Sequence, residues 1–162
     1  MPDPLEPLEP SFPPELWIGI EQFNQGEFYA CHNTLEAIWM QAPESDKKFY
    51  QGILQMAVSL YHLGNGNWRG AVILMGEGVN RLCSYPEDYA GLDLEHLISQ
   101  GQDLLETLQQ LGEQNYQQLT LVDPSLTTAN LIPNASTVQL DKPSTDDWVR
   151  SRPIIQKRAI GL

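Results

Sequence analysis

The sequence predicts an all-α protein, a compact antiparallel bundle of about five helices with a Pro-rich N-terminal arm and an irregular C-terminal tail. Three observations predict it. Apolar residues recur at helical spacing in every long segment, and none sustains the alternation of a half-buried strand. Gly, Pro and Asn separate these segments by only a few residues, and short loops join antiparallel neighbours. The 162 residues suit one domain with extensions better than two.

Residues 1–14 hold Pro2, Pro4, Pro7, Pro10, Pro13 and Pro14, a density that excludes helix and central strand, so an extended arm is expected. The first helix runs from about Glu15 to Phe23. Pro14 fits its first turn, Leu16, Ile20 and Phe23 share a face, and Asn24 and Gly26 end it. The second runs from about Glu27 to Gln41 and stops before Pro43. The third starts near Ser45 or Asp46, both good N-caps, and reaches about Leu63, where Gly64 to Gly66 supply a left-handed cap. Asn67 caps a fourth helix extending to about Cys83. Ser84 to Leu92, with Pro86 and Gly91, is a loop. Asp93 caps a fifth helix with a stripe from Leu94 and Leu97 to Leu108 and Leu111, which Gly112 ends.

Gly70, Gly76 and Gly78 each weaken the fourth helix by about 1 kcal/mol relative to Ala, and close helix–helix approach is the expected return. Beyond Gln118 the periodicity fades among Pro124, Pro133 and Pro143, so loop or disorder is expected, with a short strand at Thr137 to Leu140. The division is therefore an arm at 1–14, a helical bundle at 15–118 and a tail at 119–162.

The net charge is −12. Residues 1–119 carry 17 acids against 4 bases, whereas residues 120–162 carry 4 acids against 5 bases. An acidic body of this kind lacks the basic face of a nucleic-acid binder. No apolar run is long enough to cross a bilayer, and the acidic N-terminus is unlike a signal peptide. Cys31 and Cys83 are too few for a disulfide scaffold and suit reduced thiols in a cytoplasmic protein. The tail carries Trp148 beside Arg150 and Arg152, which suits docking on an acidic surface, this protein's own bundle included; a mobile tail with a chance aromatic accounts for it equally well.

The candidate site comes from polar residues on apolar faces. At about 100° per residue, His32 falls near the centre of the apolar arc of the second helix, with Trp39, Phe28 and Leu35 on one side and Glu36 inside its border. A buried Glu must be hydrogen-bonded, paired or protonated. On the third helix Gln51, Gln55 and His62 form a second polar stripe. The wide apolar arc around that stripe favours a central helix whose polar stripe faces His32 and Glu36, over a helix that simply turns the stripe to solvent. His-x-x-x-Glu alone is weak as a motif, and its placement carries the weight.

The runs FNQGEFYACHNTLEAIW, FYQGILQMAVSLYHLGNGNWRGAVILMGEGVNRL and YPEDYAGLDL resemble the bacterial and archaeal domain of unknown function 309 family. His32, Glu36 and Trp39 match its His-x-x-x-Glu-x-x-Trp signature. Gln51, Gly52, Gln55, His62, Gly66, Asn67, Gly70 and Ala71 match the motifs that follow. The resemblance covers about Phe23 to Leu94. It implies a small all-α fold with no established activity, and a signature for which metal binding has been suggested. Ala30 and Asn33 stand where family members commonly have acids, and an Arg common near Lys47 is missing, so any role of those groups is absent here.

Two chemistries fit these residues. His32 and Glu36, one turn apart, with His62 as a third ligand, would suit Zn²⁺ or Fe²⁺ with open coordination positions. Alternatively His32, Glu36, Gln51, Gln55 and His62, supported by Trp39 and Asn67, form a hydrogen-bonded cluster that fixes helix register. The cluster is the favoured reading. No second carboxylate for general-base work is evident, so hydrolysis is weaker still, and whether the protein is an enzyme stays open. Two functional classes follow. One is a helical domain that binds a metal or small ligand. The other is a helical protein-interaction module, self-association included, in which the cluster is structural; a solvent-exposed stripe on the third helix would favour it.

Overall fold

The computed structural model describes residues 12–124 and 148–158. Helices α1 (Glu15–Asn24), α2 (Phe28–Gln41), α3 (Glu44–Gly64), α4 (Trp68–Leu82) and α5 (Leu94–Asn115) follow one another, with 3-10 turns at Tyr89–Gly91 and Tyr116–Gln118. Each helix packs on the next, α3 on α4 most extensively. Side-chain pairings show antiparallel packing. The Tyr29 and Tyr61 rings meet where α2 begins and α3 ends, and the Lys47 ammonium lies over the Trp39 ring where α2 ends and α3 begins. Ser59 Oγ donates to the Ala71 carbonyl oxygen at 2.6 Å between α3 and α4. The all-α class agrees with the sequence, and the helix boundaries agree to within two residues except at the end of α5, which runs to Asn115 past the stop expected at Gly112.

Local chemistry sets those boundaries. The side chains of Asn67 and Asp93 accept from the N–H groups of Gly70 and His96, capping α4 and α5 as anticipated. Gly66 lies in the left-handed region (φ 79°) between α3 and α4. Gly112 (φ 77°) kinks α5, which then continues for one more turn. The start of α3 differs from expectation: Pro43 is its N-cap, with no side-chain cap, and Ser45 and Asp46 lie inside the helix. Pro supplies the turn because its fixed φ leads directly into the helix.

The core runs through all five helices. Leu16, Phe23, Leu35, Ile53, Met56, Met75, Leu82, Leu97 and Leu108 are fully buried. Glycines admit neighbouring side chains at two of the helix interfaces: a Cβ added to Gly101 of α5 would lie 2.6 Å from Val79 Cγ2 of α4, and one on Gly19 of α1 would lie 2.8 Å from Leu35 Cδ2 of α2.

A parallel pair of short strands, β1 (Thr120–Val122) and β2 (Val149–Ser151), was not anticipated. Three residues per strand are too few to show alternation, and a parallel pair joins segments distant in sequence. The strand expected at Thr137 to Leu140 lies outside the described residues, as does most of the N-terminal arm. After β2 the chain crosses α1 and α5 as an extended segment. The Asn24 side-chain amide donates to the Ile155 carbonyl oxygen at 2.8 Å and accepts its N–H at 2.6 Å. Gln100 grips Ile154 in the same two-point manner, at 2.8 and 3.1 Å. Ile155 is buried in the core, and Trp148 packs against it. Among the described residues no helix is long and apolar enough to cross a membrane.

Candidate functional site

The buried face of α2 is Cys31, Leu35 and Ile38. His32 is only half-buried, and Glu36 is 51 % exposed. The face is thus rotated by about one residue step, roughly 100°, from the His32-centred arc read in the sequence. The expected burial of His32 and Glu36 is corrected accordingly. The physical reason is that apolar residues surround α2 almost completely, so periodicity underdetermines which of them faces inward. The choice is made by α1, whose Gly19 admits Leu35.

His32 Nε2 and Glu36 Oε2 lie 3.5 Å apart, an i,i+4 pair at the surface. His32 Nδ1 faces Asn33 Oδ1 at 3.2 Å. Trp39 is half-buried beneath Lys47, whose ammonium lies 5.0 Å from the ring centroid. Its indole Nε1 is buried and has no hydrogen-bond partner among the described residues.

On α3 the stripe divides. Gln55 is buried, donates to Glu77 Oε1 at 3.0 Å, and accepts from Arg81 Nε at 2.8 Å. It therefore belongs to an α3–α4 network rather than to His32 and Glu36. Glu77 and Arg81 were missed, although their i,i+4 spacing on one helix is a readable sign of a pair. Gln51 and His62 are half-buried. His62 Nδ1 lies 3.2 Å from Asn67 Nδ2, joining the end of α3 to the cap of α4.

His32 and His62 are not brought together. Two tyrosines stand between them: Tyr29 lies 6.1 Å from the His32 ring and 5.6 Å from Tyr61, and Tyr61 lies 6.2 Å from the His62 ring. Among the described residues no group of three or more His, Cys, Asp or Glu side chains is placed to hold a metal ion. Apart from Gln55, the stripe belongs to an open polar–aromatic face carried by α2, the end of α3 and the cap of α4, with Tyr29 60 % and Tyr61 41 % exposed.

Cys31 and Cys83 are free thiols, the first buried and the second exposed. Burial pushes the Cys31 thiol up to about 12, only weakly opposed by a backbone hydrogen bond at Phe23. An un-ionised core thiol is unreactive.

Fold and face together define a small all-α domain of stacked antiparallel helices. Residues 16–74, which hold most of the motifs quoted above, match the family model of the Domain of unknown function (DUF309), so the resemblance holds over that segment. The chain is 34 % identical over 89 residues to the uncharacterized protein YpuF of Bacillus subtilis, covering 54 % of this chain and 48 % of that protein. It is 26 % identical over 86 residues to an uncharacterized protein of Aquifex aeolicus, covering 52 % of this chain and 26 % of that one. The match thus spans less than half the length of either relative. No solved structure matches the chain.

Proposed function

We propose that this chain is a helical protein-interaction module whose partner-binding surface is the open face of α2, α3 and α4. One observation carries the reading: the Tyr29–Tyr61 ring pair stands open to solvent between His32 and His62. Tyrosines bury large area on binding at little entropic cost, and exposed aromatic clusters rimmed by polar groups suit a partner surface. Of the polar residues beside the pair, His32 is engaged with Glu36 and His62 with Asn67. They support the face rather than a reaction. The reading puts the protein in the cytoplasm, where its free thiols stay reduced.

The test is a photo-crosslinking amino acid at position 61 in cells that express the protein, with exposed Gln109 of α5 as the control position. A discrete adduct from position 61, lost in Tyr29→Ala, is expected. Equal labelling from both positions, or none from either, refutes the module.

A second reading rests on the His32–Glu36 pair alone, since an i,i+4 His and Glu can share a divalent ion. Zn²⁺, Fe²⁺ or Mn²⁺ would then raise the melting temperature, and His32→Ala would abolish the rise. A rise that survives His32→Ala, or no rise at all, removes this reading.

A further inference from the structure

A separate cluster of titratable groups lies at the start of α3. Asp46 accepts a hydrogen bond from the Tyr89 hydroxyl. The Tyr85 hydroxyl donates to the Ser45 carbonyl oxygen at 2.7 Å and accepts the Phe49 N–H at 3.0 Å. Phe12 stands edge-on to Tyr89, with ring centroids 5.6 Å apart, and Phe49 is 5.3 Å from Tyr50. Burial, followed by the Asp46 charge, pushes the Tyr50 phenol up to about 12. Burial and the bond to Asp46 raise Tyr89 as well. The phenols therefore stay neutral.

Asp46 and Tyr50 line a cleft of about 710 Å³ whose walls include Phe12, Ile18 and Ile38. That volume lies in the ordinary range for small-molecule sites. The lining includes a second carboxylate, Glu15, and no Lys or Arg. Lys47, the next residue after Asp46, is turned to the Trp39 ring instead. Among the described residues no cation pairs with Asp46. One phenolic donor leaves acceptor capacity on this carboxylate, and an aromatic wall attracts cations.

We propose that this cleft binds a small molecule carrying one ammonium group on an apolar body. The ammonium sits on Asp46, and the body lies against Phe12, Ile18 and Ile38. Apolar walls select the body, the unpaired carboxylate selects the positive head, and Asp46 with Glu15 repels anions. The site is independent of the α2–α4 face, so it stands or falls apart from the interaction module.

Calorimetric titration of the full chain with phenethylammonium, the neutral 2-phenylethanol, methylammonium and Nα-acetyl-lysinamide decides the matter. Saturable binding of phenethylammonium is expected, at least tenfold tighter than that of 2-phenylethanol, with methylammonium too weak to measure. Asp46→Asn is expected to lose about tenfold for the amine and little for the alcohol. Ile18→Arg, at a half-exposed position, fills the cleft from within and is expected to block both without unfolding the protein. Should Asp46→Asn not fold, the wild-type comparison of amine and alcohol with the Ile18→Arg block decides alone. Equal affinity for amine and alcohol overturns the proposal, as does amine binding that survives Ile18→Arg. Tighter binding of Nα-acetyl-lysinamide than of phenethylammonium overturns the assignment to free amines, because a lysine side chain of another protein presents the same ammonium.

Discussion

A Cβ placed on Gly78 would lie 2.7 Å from the carbonyl oxygen of Gly52, so α3 and α4 touch backbone to backbone at this point. The relation is reciprocal: a Cβ on Gly52 would meet the Gly78 carbonyl oxygen at 3.0 Å and Leu82 Cγ at 2.8 Å. This contact fixes the register in which Gln55 reaches Glu77 and Arg81 and Ser59 reaches Ala71.

The helix-4 glycines should therefore behave differently from one another. Gly78→Ala is expected to destabilise by about 1–3 kcal/mol, since a methyl forced into a filled interface displaces backbone. A Cβ on Gly76 would meet Leu105 at 3.7 Å, an ordinary contact. Gly76→Ala is expected to stabilise by up to about 1 kcal/mol through helix propensity. Urea unfolding of both variants measures this, and equal effects would discard the close-approach account of Gly78.

The alkaline limit of stability should depend on Cys31. Its folded pKa is raised to about 12 from an ordinary 9.0. Below pH 9 both states are protonated and the thiol's contribution is intact. As pH rises from about 9 to 12 only the unfolded chain ionises, and stability falls by up to about 1.4 kcal/mol per pH unit. Tyr50, raised to about 12 from 10.0, adds a loss that begins one unit later. Cys31→Ala should move the onset from about pH 9 toward pH 10, whereas a Cys83→Ala control should leave it in place. The urea midpoint followed from pH 8 to 11.5 reads the difference.

Asn24 holds the extended C-terminal segment by two hydrogen bonds to Ile155. Asn24→Ala strands both backbone groups and is expected to cost about 1–3 kcal/mol. Tryptic cleavage after Arg150 and Lys157 should quicken well before the helices yield. A chain ending at Gln118 is expected to remain helical, with a lower melting temperature, because it loses the core contacts of Ile155 and Trp148. Unchanged cleavage rates in Asn24→Ala would show that the clamp contributes nothing.

Glu36→Ala tests the revised position of that residue. A surface i,i+4 pair in water contributes only a few tenths of a kcal/mol, screened further by salt. The expected destabilisation is at most about 0.5 kcal/mol. A loss of 2 kcal/mol or more would mean that Glu36 serves a buried donor after all.

The helices were legible because their ends carry specific chemistry: Asn67 and Asp93 cap, and Gly66 and Gly112 turn. The face of α2 was not legible. Phe28, Tyr29, Trp39 and Met40 add apolar character around the helix, so only packing against α1 and α3 shows that Cys31, Leu35 and Ile38 point inward. Gln55 was read with Gln51 and His62 as a stripe facing His32 and Glu36, yet its partners lie more than 20 residues away on α4, beyond any local pattern. The pairing of β1 with β2 links still more distant segments, and its three-residue strands leave no period to read.

The hold of Asn24 on Ile155 spans 131 positions of the chain. Helices α1 to α4 each meet their neighbour soon after synthesis, so the array assembles in the order in which it leaves the ribosome. Asn24 cannot. At typical elongation rates its partner arrives on the order of ten seconds later. Through that interval the α1 surface that later receives Lys157 over Trp17 stands bare on the nascent chain. The clamp thus closes by a chain reversal that seals α1 only after the other four helices have been made.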